Sequence, residues 1–261
     1  MFDFHMHSTV SYDGRGTPRQ MAEAAVAAGL KEICFTDHLD YTHKLPKSET
    51  AFSQEKYAEA YDDLNMPGLL IRKGAEVGLT PWNMDEISID LSVRPYDFVI
   101  GSVHFIHDED PYFPYFWEGK SVDQAEQMYF EEMLRCVQLH DDFDVLGHLT
   151  YISKTGSHPA PRQIPLSRYR NQVAQIMEEL IRKGKGIEVN TSGLDRCGAY
   201  LPSEEYLQLF KDLGGQIVTV GADAHTPNRV GQYTMEACKM VCDIFGYVCT
   251  FADRKPIFHE F

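Results

Sequence analysis

Residues 3–7 read Asp-Phe-His-Met-His, the end of a short strand-like stretch that carries two histidines one residue apart. Residues two apart in a β-strand point to the same face, so His5 and His7 are expected to converge on one volume at the end of the strand. A His-x-His pair alone is a weak indication of a metal site. Stretches downstream strengthen it, because they too end in metal-binding residue types.

Seven strands are predicted, and most of them end in such a residue. The predicted strands cover 2–6, 31–37, 70–77, 97–103, 143–149, 186–191 and 216–222. They are rich in Ile, Val and Phe, as expected for parallel strands covered on both sides. The candidate metal ligands at their ends, with one from the loop after the first strand, are His5, His7, Asp13, His38, Glu76, His104, His148, Asp223 and His225.

Helices are predicted between these strands, over 18–29, 121–139, 166–183, 203–213 and 230–245. Thr17-Pro18 is typical of a helix start, and Ser121 with Gln124 forms a capping-box pattern. Residues 83–93 show no clear period. Alternating strands and helices predict an α/β fold with a parallel sheet, and seven units favour a closed barrel. We expect one domain over 1–261, with the long loops 39–52, 105–120 and 150–165 above one face.

Composition narrows the functional classes. The net charge of −15 argues against a broad basic face that would hold nucleic acid, but it allows a small anionic substrate. No apolar stretch approaches the roughly 20 residues that span a bilayer, and no signal peptide is apparent. Six scattered cysteines without a Cys-x-x-Cys pair indicate reduced thiols and a cytoplasmic protein. Nothing indicates the oligomeric state.

The candidate ligands point to a catalytic metal site. Histidine and carboxylate ligands without cysteine suit zinc, manganese or iron in an open site, whereas structural zinc sites more often use cysteines. Nine ligands exceed the need of one or two ions and fit three divalent ions. Such ions attract anionic substrates and activate water at neutral pH.

The ordered series of motifs resembles the PHP (polymerase and histidinol phosphatase) superfamily, whose members carry an N-terminal His-x-His and a late Asp-x-His. The resemblance covers essentially the whole chain. It implies a distorted (β/α)7 barrel with a trinuclear metal centre at the C-terminal ends of the strands. The implied ligand sets are His5, His7, Glu76 and Asp223 for the first ion, Glu76, His104 and His148 for the second, and Asp13, His38 and His225 for the third. Asp13 departs from those members that have histidine there, which is expected to favour iron or manganese.

Within this superfamily the chain resembles the monofunctional histidinol phosphatases. The resemblance implies hydrolysis of L-histidinol phosphate in histidine biosynthesis, by attack of a metal-bridging hydroxide. Loop position and side-chain chemistry suggest four further roles. Arg162 and Arg196 are expected to bind phosphate, and His43 to contact phosphate or protonate the leaving alkoxide. Glu118, which follows the aromatic stretch 112–117, is expected to pair with the substrate's amino group.

Three other functions remain open from the sequence. The first is a PHP phosphoesterase that acts on nucleotides or on a phosphotyrosine protein; the acidic composition and the aromatic loop favour a small phosphorylated metabolite over these. The second is a metal-binding module without catalysis, against which the full ligand complement argues. The third is amide hydrolysis on a metal-containing barrel. It is less expected, because of the late Asp-x-His and because no lysine is evident that would bridge metals.

Overall fold

The computed structural model describes residues 1–260, and its centre is a ring of parallel strands. The strands are β1 (Phe2–Met6), β2 (Glu32–Phe35), β3 (His38–Leu39), β4 (Leu70–Gly78), β5 (Phe98–Ser102), β6 (Val145–Leu146), β7 (Gly186–Asn190), β8 (Val218–Gly221), β9 (Val248–Ala252) and β10 (Lys255–His259). The helices are α1 (Pro18–Ala27), α2 (Lys47–Thr50), α3 (Gln54–Tyr61), α4 (Met84–Ser92), α5 (Pro114–Trp117), α6 (Val122–Leu139), α7 (Leu166–Arg182), α8 (Leu194–Cys197), α9 (Glu204–Asp212) and α10 (Thr234–Phe245). Two short 3-10 turns lie at Tyr151–Lys154 and Pro227–Arg229.

The strands follow the order β1-β2-β4-β5-β6-β7-β8, all parallel to their neighbours, and β3 pairs with β4. The ends of this order meet just beyond β8. There the amide of Asp223 donates to the carbonyl of His5 at 2.7 Å, and the amide of His7 donates to Ala224 at 2.9 Å. The ring is therefore a nearly closed seven-stranded barrel, which confirms the predicted distorted (β/α)7 architecture.

Asp3 strengthens the same closure from inside the protein. Its carboxylate is fully buried and accepts hydrogen bonds from the amides of Ala222 at 2.9 Å and Gly231 at 2.8 Å. Burial raises the pKa of this carboxyl to about 6, against the opposing effect of those amides. The first strand is thus tied to the end of the last barrel strand and to the loop before α10.

The predicted helix starts are present in the structure. Thr17 and Gln20 form a capping box at the start of α1, with Pro18 at its first position, and Ser121 and Gln124 do the same for α6. Each box satisfies amide groups that have no partner inside the helix. In α7, Val173, Ile176, Met177 and Leu180 are buried, at the spacing of one helical face.

Several elements differ from the sequence prediction. β6 is much shorter than 143–149, and the predicted loop 39–52 contains β3 and α2. Residues 83–93, where no period was evident, contain α4, and α3 was not predicted. The β9–β10 hairpin was also missed. Its turn residues Asp253 and Arg254 have positive φ without the usual glycine, and Pro256 lies within β10, so the standard hairpin signals are absent.

This hairpin covers the N-terminal end of the barrel. Phe251 packs on Phe98 with ring centroids 4.8 Å apart, and Phe98 packs on Phe4 at 5.7 Å. Arg254 in the turn donates to the carboxylate of Asp144 at 2.6 Å. The opposite end of the barrel, where the ligand residues lie, is left for the functional site. No helix within residues 1–260 is long and apolar enough to cross a membrane.

Phe251 should contribute strongly to stability because it fills the base of the barrel. It is 2% exposed, whereas Phe258 on the adjacent strand is 49% exposed. We expect Phe251→Ala to lower the free energy of unfolding by about 3–5 kcal/mol, and Phe258→Ala to lower it much less. Urea denaturation followed by circular dichroism measures both. Equal losses for the two variants would show that the hairpin does not seal the base.

Candidate metal centre and active-site cavity

All nine candidate ligands converge at the C-terminal end of the barrel, and Glu76 at the end of β4 lies at their centre. One of its oxygens, Oε2, lies 3.2 Å from His5 Nε2 and 3.4 Å from His7 Nε2. Asp223 Oδ1 lies 3.6 Å and 3.4 Å from the same two nitrogen atoms. These four residues are the set that the sequence resemblance implies for a first ion.

The second oxygen of Glu76 faces a different pair of histidines. Oε1 lies 2.9 Å from His148 Nε2 and 3.3 Å from His104 Nε2, and the two histidine nitrogen atoms are 3.4 Å apart. Ser102 donates a hydrogen bond to the same oxygen at 2.6 Å. The carboxylate of Glu76 therefore stands between two groups of ligands, as a bridging carboxylate would.

The third group surrounds Asp13. Its Oδ2 lies 3.0 Å from His225 Nε2 and 3.5 Å from His38 Nε2. His7 belongs to this group as well, because its ring stacks on His38 at 4.2 Å and on His225 at 4.1 Å. The three groups therefore form one continuous cluster.

The spacing of these atoms fits divalent metal ions. Ligand atoms at roughly 2.0–2.1 Å from one zinc ion lie roughly 3.3 Å from one another in a tetrahedral site, and His5 Nε2 and His7 Nε2 are 3.1 Å apart. Several buried polar atoms in the cluster have no hydrogen-bond partner, namely Asp13 Oδ1, His38 Nδ1, Glu76 Oε2 and His148 Nδ1. Buried polar atoms normally have hydrogen-bond partners, and metal ions bound here would take that place. The histidine and carboxylate side chains of the cluster are therefore suited to divalent metal ions.

Charge in the cluster follows from burial and neighbours. Burial lowers the pKa of His7 and of His148, which keeps both imidazoles neutral and their lone pairs available. Burial works against the charge of Glu76, but His5 and the other histidines hold its pKa well below the usual range. Burial also works against the charge of Asp223, but the Lys154 ammonium together with His5, His7 and His225 holds the pKa of this carboxyl well below the usual range. Ionised carboxylates and neutral histidines are the forms that bind metals.

Two carboxylates behind the ligands orient the imidazole rings. Glu188 in β7 lies 2.6 Å from His5 Nδ1 and accepts the amide of His148 at 2.8 Å. Asp40, just after β3, lies 2.8 Å from His104 Nδ1. Such partners fix ring orientation and raise ligand basicity. Asp40 was not predicted, although its place two residues after His38 could have indicated it.

A cavity of about 860 Å³ opens above the cluster. Its cationic lining residues are Arg15, Lys44, Lys154, Arg196 and Arg229. The Nζ atom of Lys154 lies 2.5 Å from Asp223 Oδ2 and 2.6 Å from Ser192 Oγ. Lys154 was not predicted, because no sequence pattern in the loop 150–165 distinguishes it. Lys154 contacts the ligand carboxylate of Asp223 and the hydroxyl of Ser192. It therefore lies beside the ligand cluster and does not bridge two groups of ligands.

The cavity includes one of the four predicted substrate or catalytic residues. Arg196 lines it and donates to the carbonyls of Thr155 at 3.4 Å and Gly156 at 3.3 Å. The other three lie off its lining. Arg162 pairs with the buried carboxylate of Glu126 at 3.3 Å. Glu118 is exposed at the end of α5.

His43 is also exposed, and its ring stacks on Trp82 at 4.7 Å. The aromatic loop divides in two. Tyr112, Phe113 and Tyr115 line the cavity, whereas Phe116 and Trp117 are buried in the core. Part of the predicted aromatic wall therefore faces the cavity, and the rest packs the loop onto the barrel.

Comparison with known proteins agrees with the geometry of this site. The family model of the PHP domain matches residues 3–192. The chain belongs to the PHP domain family. The matched segment contains seven of the nine candidate ligands, and Asp223 and His225 follow it.

PHP relatives of similar length extend the match over nearly the whole chain. The histidinol-phosphatase of Lactococcus lactis subsp. lactis is 31% identical over 231 residues, which are 87% of this chain and 85% of the relative. A probable histidinol-phosphatase of Clostridium acetobutylicum is 26% identical over 268 residues, 100% of this chain and 97% of the relative.

A solved PHP structure also superposes closely. The crystal structure of histidinol phosphate phosphatase from Lactococcus lactis, complexed with zinc, L-histidinol and phosphate, has a TM-score of 0.84 and 28% identity. The match covers 98% of each chain. Over this matched length, the fold of the chain is that of the histidinol phosphate phosphatase.

Asp40 should strengthen metal binding although it is not among the predicted ligands. We expect Asp40→Asn to weaken metal affinity about 10- to 100-fold, because the ring orientation of His104 is then less well fixed. Metal retained after dialysis against graded chelator concentrations measures the change. Asp90→Asn is the control, since Asp90 is also largely buried but hydrogen-bonds to Tyr41 and pairs with Lys47. Wild-type retention in Asp40→Asn would contradict this role.

Proposed function

We propose that this chain is a metal-dependent phosphatase that hydrolyses L-histidinol phosphate to L-histidinol and phosphate in histidine biosynthesis. The observation that carries the proposal is the Glu76-centred ligand cluster at the floor of a cavity that presents both cations and aromatic rings. Relatives named as histidinol-phosphatases across most of the chain support the same substrate. The cytoplasmic location and the single-domain organisation over 1–261 remain predictions within this proposal.

The cluster is proposed to hold three divalent ions. His5, His7, Glu76 and Asp223 would hold the first, Glu76, His104 and His148 the second, and Asp13, His38 and His225 the third. The position of Glu76 between two histidine pairs supports a bridging role. The donor set accepts zinc, manganese or iron. The related Lactococcus lactis structure contains zinc.

Bound divalent ions would polarise the phosphoryl group and supply an activated water near neutral pH. The chain's own residues then have to position the ester and balance the charge on its oxygens. Arg196 is suited to this task because a guanidinium can make two parallel hydrogen bonds to a phosphate. The carbonyls of Thr155 and Gly156 hold it against the cavity wall. Lys154 offers a second cation directly beside Asp223.

The roles predicted for His43, Glu118 and Arg162 have less support. None of the three lines the cavity, and each has another partner or faces solvent. We therefore propose that Arg196 and Lys154 bind the phosphoryl oxygens. His43 as proton donor stays a prediction.

The reaction itself is the first test. We expect the purified, metal-containing protein to release phosphate from L-histidinol phosphate much faster than from adenosine monophosphate, 4-nitrophenyl phosphate or a phosphotyrosine peptide. Chelation should abolish the activity, and added zinc or manganese should restore it. If the protein hydrolyses only the other esters, it is still a PHP phosphoesterase, but L-histidinol phosphate is not its substrate. Bound metal without any turnover would favour the non-catalytic metal-binding module.

Arg196 provides the second test. Loss of a charged hydrogen-bond partner costs about 1.5–3 kcal/mol, so Arg196→Ala should lower kcat/KM for L-histidinol phosphate roughly 10- to 100-fold. Steady-state phosphate release gives the value. Arg162→Ala is the comparison, and we expect it to lower stability more than activity because it leaves Glu126 without its closest cation. An equal loss of activity in both variants would restore the phosphate role predicted for Arg162.

A further inference from the structure

Asp110 is a cavity residue with a carboxylate that the protein itself leaves largely unused. It lies just before the aromatic part of the loop between β5 and α5, and its side chain is partly buried on the cavity wall. Its Oδ1 accepts the amide of Tyr112 at 2.8 Å. Within residues 1–260, no cationic side chain lies within ion-pair distance of this carboxylate.

The neighbouring acids on the same loop are occupied. Asp108 accepts the hydroxyl of Thr42 at 2.6 Å and the amide of His43 at 3.2 Å, which joins two loops. Glu109 pairs with Lys120 at 3.4 Å and does not line the cavity. Asp110 is thus the loop carboxylate that is free to meet a ligand.

The loop around Asp110 is held in place. Its carbonyl accepts the amide of Phe113 at 3.2 Å, and the carbonyl of the next residue, Pro111, accepts the indole N–H of Trp117 at 2.9 Å. Ser157 donates to the carbonyl of Tyr112 at 2.8 Å. A carboxylate fixed before the ligand arrives binds with a smaller loss of conformational entropy.

The carboxylate lines the same cavity as the candidate ligands Glu76, His104 and Asp223. Burial raises the pKa of Asp110, whereas its own hydrogen bond from Tyr112 and the charge of nearby His104 lower it. A carboxylate in this position repels any simple phosphate ester, because like charges in a partly desolvated site cost affinity. The arrangement is favourable only for an ester that brings a positive charge of its own.

L-Histidinol phosphate has such a charge in the right part of the molecule. Its ammonium group is on the carbon next to the CH₂–O–phosphate group, so the ammonium and phosphoryl groups must enter the cavity together. The imidazole is one further CH₂ away, where the rings of Tyr112, Phe113 and Tyr115 are available.

We propose that Asp110 binds the substrate's ammonium group and is the residue that makes the enzyme specific for amino-bearing phosphate esters. The inference rests on the proposed phosphatase function. It gives to Asp110 the role that sequence analysis gave to Glu118, eight residues later and outside the cavity lining.

The test compares three esters: L-histidinol phosphate, its analogue without the amino group (3-(imidazol-4-yl)propyl phosphate), and 4-nitrophenyl phosphate. We expect wild type to prefer the first over the second. Asp110→Asn should lower kcat/KM for L-histidinol phosphate about 10- to 100-fold, mainly through KM, and change the other two less than about threefold. Asp110→Glu, which keeps the charge, should recover part of the loss.

Two further variants separate a specific contact from a general charge effect. Glu109→Gln removes the same charge from the neighbouring position and should leave all three esters unaffected, since its carboxylate faces Lys120. Retained turnover of 4-nitrophenyl phosphate in Asp110→Asn shows that the variant is folded and its metal centre intact. If Glu118→Gln loses the preference for the amino-bearing ester and Asp110→Asn keeps it, the proposal is overturned.

The wild-type measurements alone show whether the role of Asp110 is wrong or the phosphatase function itself is wrong. Equal turnover of the two imidazole esters would reject the role of Asp110 and leave the phosphatase function standing. Turnover of 4-nitrophenyl phosphate but of neither imidazole ester would reject the proposed function, and the role of Asp110 with it. A loss of similar size on all three esters in Asp110→Asn would likewise overturn the ammonium contact.

Discussion

The carboxylate of Glu76 is 1% exposed and is surrounded by five imidazole rings, and the site is built around the charge that it carries. Histidine nitrogen atoms lie 2.9–3.4 Å from its two oxygens, contributed by His5, His7, His38, His104 and His148. An ionised carboxylate away from water costs several kcal/mol unless positive charge compensates it. Burial opposes the charged form of His5, His38 and His104, but the neighbouring carboxylates raise the pKa of all three, so these imidazoles supply part of that charge. Divalent ions between these atoms would supply it in their place, so metal binding and the stability of this end of the barrel would be coupled.

The barrel holds these atoms together through the same hydrogen bonds that close it. The amide of Asp223 donates to the carbonyl of His5, and the amide of His7 donates to the carbonyl of Ala224. One set of backbone contacts therefore fixes the ligands of β1 relative to Asp223. Asp3 adds a buried carboxylate to this seam. Displacement of β1 relative to β8 would therefore open the barrel and at the same time move the ligands apart.

The sequence predicted most of the barrel and the nine candidate ligands that the structure brings together at one end of it, because both depend on local rules. Apolar stretches identify buried parallel strands, and a parallel barrel brings all strand ends to one face. The loops follow no such rule. Arg162 and Arg196 each follow a barrel strand, Arg162 in a loop and Arg196 in the short helix α8. Only Arg196 reaches the cavity, because a buried glutamate on α6 holds Arg162. His43 and Glu118 were placed by loop position alone, and that criterion does not fix where a side chain points.

The charge of the cavity also reconciles an acidic protein with an anionic substrate. A net charge of −15 repels phosphate esters at long range, but salt screens exposed charges beyond roughly 8 Å at physiological ionic strength. Inside that distance the proposed metal ions, Lys154 and Arg196 would supply positive charge in a cavity that Asp110 also lines. A polyanion such as nucleic acid would extend beyond the cavity onto the acidic surface. A small molecule that carries phosphate and ammonium close together meets favourable charge at both ends, so the charge pattern selects for size as well as for chemistry.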